Sequence, residues 1–174
     1  TSDSEPATAP NDGTPASSLT TMATLTLEIV TPEGAAYHAE CSHAVLPTLS
    51  GEIDVLPGHR PLVAMLKAGD VLVGNPGVGT VKGKPTDGPA PEHVAIDKGF
   101  ARIEGGVISV LTEAAVDVDS IDLTAVEAAR ERAEAALKEA KAEGLDPAEI
   151  ERLESVARFS VVQQIARARN RGQR

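Results

Sequence analysis

The sequence predicts a β-rich domain followed by a helical hairpin, and three features of the chain support this fold class. First, Leu25, Leu27 and Ile29 alternate with polar residues, which is the period-two pattern of a half-buried strand. Second, short β-rich runs separated by Gly and Pro turns continue as far as Val118. Third, the chain from Asp119 onward is rich in Ala, Glu, Lys, Arg and Leu, which are strong helix formers. The β-rich part is typical of a sandwich or flattened barrel.

We divide the chain into residues 1–22, 23–118 and 119–174. The first segment is rich in Ser, Thr, Pro, Ala and Asp, and it buries too little surface to offset its ordering entropy, so we expect a disordered tail. In the second segment, Asn75–Glu92 is predicted to be a long exposed hairpin loop. Besides the first strand, the β-rich runs are Ser42–Leu46, Glu52–Leu56, Pro61–Leu66, Val71–Val73, Val94–Ile96, Phe100–Ile103 and Val107–Leu111.

Capping residues predict where the two helices begin and end. Asp122 suits the N-cap of the first helix, which Gly144 terminates. Asp146 caps the second helix, Pro147 takes its first position, and the helical pattern continues to about Arg169. Because so few residues separate the helices, we expect them to be antiparallel neighbours.

The facing surfaces of the two helices are rich in alanine. Small side chains let helices approach closely, but only large apolar side chains gain about 1.5–3 kcal/mol on burial. We therefore expect a marginally stable hairpin, which is either a static part of the fold or an element that leaves the β domain and extends. The predicted inward positions are Leu123, Val126, Ala129, Ala133, Ala136, Leu137, Ala140, Ile150, Leu153, Ala157, Val161, Ile165 and Ala168.

Arginines dominate the end of the chain, with no acidic residue close to them in the sequence. They complement the negative end of the helix dipole, and they also suit docking on an acidic partner surface. Both interpretations remain open at this level. The residues are Arg167, Arg169, Arg171 and Arg174.

Composition excludes several functional classes. The net charge is -10, which argues against a nucleic-acid-binding protein, because such binding rests on neutralising phosphates. No apolar run reaches the roughly 18 residues that a transmembrane helix needs. The single cysteine fits a reducing compartment, so we expect a soluble cytoplasmic protein.

We find no catalytic or metal-binding pattern, and we therefore expect neither enzyme activity nor a cofactor. A glycine-rich stretch before Lys84 resembles a phosphate loop only faintly, because Val78 occupies the first Gly position and Pro85 the magnesium-binding Ser or Thr position. The histidines and the cysteine lack zinc-like spacing. They are His38, His43, His59, His93 and Cys41.

The segment Gly51–Leu62, with the sequence GEIDVLPGHRPL, resembles the signature of the ATP synthase epsilon subunit family. The resemblance covers about residues 23–171. It departs from the family pattern at Asp54, where the signature has Gly, and in the longer loop at Asn75–Glu92. Four other motifs also match the family, in the family's order, and all of them precede the two helices. They are Leu27–Glu33, Lys67–Gly69, Asp97–Phe100 and Val110–Glu113.

This resemblance implies a ten-stranded β-sandwich with a helical hairpin, and a non-catalytic role in a rotor stalk. Members of the family bind the gamma subunit and the membrane-embedded c-ring, and they couple ring rotation to gamma during proton-driven ATP synthesis. In bacteria they lie peripherally on the cytoplasmic side of the membrane. In many bacteria the hairpin also opens, rises along gamma toward an acidic loop of the beta subunit and brakes ATP hydrolysis. The resemblance therefore favours a mobile hairpin.

The resemblance also assigns roles to individual residues. By position, Glu52 matches an acidic residue that faces the c-ring, and His59 matches a residue near gamma. Arg158 matches an arginine of the second helix, while Arg167 and Arg169 are candidates for the braking contact on the basis of charge.

Some relatives bind ATP in the closed hairpin through an Ile/Leu-Asp-x-x-Arg-Ala motif and second-helix arginines. Here Ala125 and Val126 replace the Arg-Ala pair, and Glu154 stands where one such arginine is expected. A carboxylate at that position repels phosphate. We therefore expect ATP binding to be weak or absent when measured by calorimetry.

The main alternative is a β-sandwich adaptor module that uses the hairpin as an oligomerisation arm. Composition fits both functions, and only the series of motifs argues against the adaptor. An enzyme of unknown type is a more distant third interpretation.

Overall fold

The computed structural model describes residues 24–144 and 146–172, and within them the predicted fold class is confirmed. The predicted disordered tail lies outside these residues. The strands are β1 (Leu25–Thr31), β2 (Gly34–Cys41), β3 (His43–Thr48), β4 (Gly51–Val55), β5 (Leu62–Leu66), β6 (Gly69–Gly74), β7 (Val78–Val81), β8 (Lys84–Pro89), β9 (His93–Ile96), β10 (Gly99–Glu104), β11 (Val107–Thr112) and β12 (Ala115–Asp117). A 3-10 helix (Val118–Ser120) then leads to α1 (Leu123–Glu143) and α2 (Pro147–Gly172).

The strands form one hydrogen-bonded sheet that folds back on itself as a sandwich. Their order is β12-β9-β6-β3-β5-β10-β11-β1-β2-β7-β8, and β4 pairs with β3. Strands β1 and β11 run parallel to each other. Leu27 of β1 and Val71 of β6 lie far apart in this order, yet both belong to one apolar core cluster. The core is therefore enclosed between two layers of the same sheet.

Two parts of the sheet differ from the expectation. The stretch Asn75–Glu92 is not simply a loop, because it contains the paired strands β7 and β8. Lys82 and Gly83 connect them with positive φ angles of 49° and 72°, as a tight hairpin turn requires. The sequence pattern also did not predict strand β2, because the buried face of this strand uses the small residues Ala39 and Cys41 beside Tyr37.

The predicted helix boundaries are largely confirmed. The Asp122 side chain accepts hydrogen bonds from the backbone N–H groups of Thr124 and Ala125, so it caps α1. Gly144 ends that helix in the left-handed conformation, with φ of 67°. Helix α2 continues beyond Arg169 and packs against α1, so the two helices form a hairpin.

The inward face of α2 was only partly predicted. Ile165 is 50% exposed and Ala168 is not fully buried, whereas Phe159 and Ala166 are buried. The reason is that α2 contacts both α1 and the sandwich, so its buried surface is wider than a single stripe. Phe159 and Ala166 form a second apolar cluster with Ala95 of β9.

Strand β9 joins the two parts of the molecule, because all four of its residues are buried. Val94 and Ile96 belong to the core of the sandwich, whereas Ala95 lies beneath α2. We call the contact between Ala95 and the α2 residues Phe159 and Ala166 the helix seam. The seam fixes where the α2 side chains lie over the sheet.

Candidate functional site

A row of exposed apolar side chains crosses four neighbouring strands of the sandwich. Met65 of β5 pairs with Phe100 of β10, Phe100 pairs with Leu111 of β11, and Leu111 pairs with Val30 of β1. Their exposed fractions are 55%, 53%, 56% and 40%. Contiguous exposed apolar surface of this kind marks a binding site rather than ordinary surface. We call these four residues the apolar row.

The apolar row lines a shallow groove of about 490 Å³. Pro32 and Leu66 contribute to its walls, and Lys98 and Glu113 lie at its edge. Lys98 bridges two carboxylates, 3.4 Å from Glu113 and 3.1 Å from Glu151 of α2. The groove is therefore mostly apolar, with an ion-paired border toward the helices.

His59 lies in the turn between β4 and β5, beside the strand that carries Met65. The turn is closed by a 3.0 Å hydrogen bond from the His59 N–H to the Leu56 carbonyl. The Arg60 carbonyl lies 2.7 Å from His59 Nδ1 and can accept a hydrogen bond from it when this nitrogen is protonated. Leu56 in the same turn is 55% exposed.

Glu52 is exposed near the tip of the β3–β4 hairpin, where Leu49 is also exposed. The structure brings Glu52 together with Arg169, because both line a cavity of about 190 Å³ between α2 and the sandwich. Lys67 and Asp70 line the same cavity. The sequence placed Glu52 and Arg169 in separate functional roles, and nothing in its pattern indicated that they are neighbours.

A buried Asp–His pair borders this cavity. His93 Nδ1 lies 2.7 Å from Asp70 Oδ2, and both side chains are largely buried. Burial raises the pKa of the Asp70 carboxyl; the hydrogen bond and charge of His93 and the charge of Arg169 oppose that rise. Glu52 raises the pKa further. Asp70 Oδ1 has no hydrogen-bond partner among the described residues.

Arg158 lies within the contact between α2 and the sandwich. Its Nε is 3.5 Å from Asp97 Oδ1, and the Asp97 side chain is only 3% exposed. The hydroxyl of Ser155 donates a 2.6 Å hydrogen bond to Asp97, and the backbone N–H of Lys98 donates another at 2.8 Å. The Arg158 position is therefore part of a network that ties α2 to the sandwich.

The other two candidate arginines, Arg167 and Arg169, also lie near acidic residues, although no acidic residue is close to them in the sequence. Arg167 Nη1 donates a 2.8 Å hydrogen bond to Asp119 Oδ1, 48 residues earlier. Arg169 is near enough to Asp70 to affect its pKa. In this conformation the Arg167 side chain is bound to an intramolecular partner, and Arg169 lines the cavity beside Asp70.

Glu154 has a structural partner on the neighbouring helix. Lys141 Nζ donates a 2.9 Å hydrogen bond to its carboxylate, and that contact lowers the pKa of Glu154. Glu154 therefore supplies a negative charge that is paired with Lys141, and not a cation that could bind phosphate at this position.

Neither a metal centre nor a membrane-spanning helix is found in the part of the chain that the structure describes. Within residues 24–144 and 146–172, no three or more His, Cys, Asp or Glu side chains come together as metal ligands would. Over the same residues, neither helix combines the length and the hydrophobicity needed to cross a bilayer.

The fold agrees with that of a known protein family. A family model described as "ATP synthase, Delta/Epsilon chain, beta-sandwich domain" matches residues 24–118. The chain belongs to this ATP synthase family. An ATP synthase epsilon chain of Macrococcus caseolyticus is 40% identical over 126 residues, which cover 72% of this chain and 85% of the relative. That of Bordetella petrii is 32% identical over 145 residues, covering 83% and 92%.

A solved structure supports the fold of this epsilon-family chain over almost its whole length. It is a chain from the mitochondrial ATP synthase of Euglena gracilis, in a structure of OSCP, F1 and the c-ring. The TM-score is 0.56 at 23% identity, over 94% of this chain and 90% of the other.

The buried pair gives a prediction about pH. Because burial raises the Asp70 pKa, its stabilising contribution is complete below the pKa of the unfolded chain and is lost as pH rises through the folded-state pKa. Asp70→Asn should therefore gain stability relative to the wild type as the pH rises from about 4, the ordinary pKa of Asp, through the range in which folded Asp70 loses its proton. Urea unfolding across this range measures the difference.

The matched control is Asp54→Asn, at an exposed carboxylate, which should follow the wild-type profile. His93, Arg169, Glu52 and Lys67 stay unchanged in both variants. If Asp70→Asn instead loses stability relative to the wild type as pH rises, the attraction of His93 and Arg169 outweighs burial.

Proposed function

We propose that this epsilon-family chain is a non-catalytic rotor subunit that couples c-ring rotation to the gamma subunit in proton-driven ATP synthesis. The observation that carries the proposal is the apolar row, a contiguous exposed apolar surface that suits binding to another protein. Family membership supplies the identity of the partners. The subunit would lie peripherally on the cytoplasmic side of the membrane.

The apolar row suits the gamma subunit as its partner. Phe100 lies at the centre of the row, with apolar neighbours on both adjacent strands. Large apolar side chains at the centre of an interface contribute most of the binding energy. His59 lies in the turn that leads into β5, in agreement with its proposed position near gamma.

A matched pair of variants tests this interface. We expect Phe100→Glu to lower recovery of gamma at least about tenfold, because burying an unpaired charge at an interface centre is costly. Val78→Glu is the control, since Val78 is 70% exposed but lies on β7, away from the row. Each chain is tagged at its amino terminus and purified from solubilised membranes of its own cells, and its partners are identified by mass spectrometry.

The same purification separates the proposal from its alternative. Recovery of gamma with alpha, beta and c subunits by the wild-type chain supports a stalk subunit. Recovery of none of them, while the synthase itself stays intact, would favour a β-sandwich adaptor with the hairpin as its oligomerisation arm.

Glu52 suits a contact with the polar loops of the c-ring. It is exposed near a hairpin tip, next to exposed Leu49. This tip adjoins one end of the apolar row, because the Leu49 N–H donates a 3.0 Å hydrogen bond to the Met65 carbonyl. The subunit would then hold the ring at the tip and gamma along the adjoining row, which suits transmission of torque between them.

Site-directed photocrosslinking tests this second contact. A benzophenone maleimide at Glu52→Cys should form adducts with the c subunit in the assembled synthase. The control is Glu104→Cys, which is exposed at the end of β10 and should yield no c adduct. Native Cys41 is buried and does not compete for the reagent. Equal c adducts from both positions, or none from Glu52→Cys, would remove the ring contact from the proposal.

We further propose that the hairpin brakes ATP hydrolysis when α2 leaves the sandwich and reaches the beta subunit. The short helix seam and the basic residues Arg158, Arg167 and Arg169 support this role, because they suit a two-state element with an acidic target. Bound ATP has no part in the proposal, since Glu154 already pairs with Lys141.

Removal of residues 119–174 tests the brake. ATP hydrolysis by the assembled synthase should rise several-fold, because the inhibitory element is gone. The truncated chain must still co-purify with gamma, which shows that its sandwich is folded and incorporated. An incorporated truncated chain with unchanged hydrolysis would contradict the brake.

A further inference from the structure

We propose that Arg167, Asn170, Asp119 and the Val118 carbonyl form a hinge clasp that keeps α2 closed on the sandwich. The clasp joins the end of α2 to the 3-10 helix that connects the sandwich to α1. Its existence rests on the geometry of these contacts. Its consequence for regulation rests on the brake proposed above.

Three hydrogen bonds converge on the connecting segment. Arg167 Nη1 donates to the Val118 carbonyl at 3.1 Å and to Asp119 Oδ1 at 2.8 Å. Asn170 Nδ2 donates to the same Asp119 oxygen at 3.1 Å. Asp119 therefore receives donors from two successive turns of α2, and this fixes the rotation of the helix as well as its position.

The clasp lies at the segment that joins the sandwich to the hairpin, so a movement of the hairpin relative to the sandwich would pivot near it. The chain leaves the sandwich at Val118, runs out along α1, and returns along α2 to the same segment. The contacts span 48 to 51 residues, so they close a loop that contains the whole hairpin. Helix α2 cannot move away from this segment without breaking them.

Because the clasp is partly buried, Arg167 has two alternative states: its guanidinium is either bound to Asp119 or released to water. The Arg167 side chain is 21% exposed, and Asn170 is buried. Arg167 Nε is also buried, with no hydrogen-bond partner among the described residues. Holding this group away from water costs free energy, which the charge-assisted bond to Asp119 offsets. When Asp119 is lost, release of Arg167 to water becomes the favoured alternative.

The clasp also makes two uses of Arg167 mutually exclusive. In the closed state its guanidinium is bound to Asp119 and Val118, so it is not available to an acidic surface of another subunit. The strength of the clasp thus sets how often the basic end of α2 is free to bind elsewhere.

A thiol reporter measures the opening of α2 directly. Ala95→Cys places a thiol on the outer face of β9, beneath Phe159 and Ala166, where it reacts only when α2 moves away. We call this introduced thiol the seam reporter. Native Cys41 in the core of the sandwich reports opening of the sandwich itself. Peptide mass spectrometry resolves the labelling rates of both thiols in the full-length chain under native conditions.

We expect Arg167→Gln to accelerate labelling of the seam reporter about fivefold, with Cys41 unchanged. Arg171→Gln is the matched control, because it removes the same charge from an exposed position one turn later. Asp119→Ala should also accelerate labelling, and the double variant should react no faster than the faster single variant. Equal acceleration by Arg171→Gln, parallel acceleration of Cys41, or no acceleration would overturn the clasp.

A separate arm distinguishes the clasp from the brake. In this arm the synthase is assembled with the Asp119→Ala chain. This variant releases α2 from the clasp and retains both Arg158 and Arg167. Faster thiol labelling with lower ATP hydrolysis supports both proposals. Faster labelling with unchanged hydrolysis would leave the clasp in place and contradict the brake.

Discussion

The molecule depends on one physical constraint, which is that both faces of β9 must be shielded from water. The sandwich shields one face, where Val94 and Ile96 belong to its core. Helix α2 shields the other, where Ala95 has no exposed surface. Because Ala95 is small, the helix can lie close to the sheet, and Phe159 supplies the bulk that fills the contact. The seam thereby sets where Arg158 and Arg167 of α2 meet Asp97 and Asp119.

The seam is short, and so the polar contacts beside it determine the position of α2. Phe159 is its only large side chain, since Ala95 and Ala166 are small, and partly buried Val162 packs beside it. Asp97 on one side and Asp119 on the other bind donors of α2. The net free energy of each contact is modest, because its charges lose water on docking. They do exclude other rotations and registers of the helix, which would leave Asp97 buried without Ser155.

Local chemistry made parts of this structure predictable. The helices could be placed because Asp122 and Gly144 act on their immediate neighbours, and the first strand because its alternation is strict. Strand β8 could not, because its pairing depends on two positive φ angles at a Lys-Gly turn, which is a weaker signal than Asn-Gly. The pairing of Arg167 with Asp119 was also out of reach, since it depends on how the hairpin docks.

The two outer surfaces of the sheet differ, and this would let the proposed partner binding and the proposed movement of α2 occur independently. The chain covers the β9 surface with its own helix, but leaves the apolar row bare on β1, β5, β10 and β11. None of the row residues takes part in the helix seam, so a partner on the row can stay bound while α2 moves. Lys98 and Glu113 are the link, because they border both the groove and the helix contact. A partner that displaced Glu113 from Lys98 would alter the pairing of Lys98 with Glu151, and through it the hold on α2.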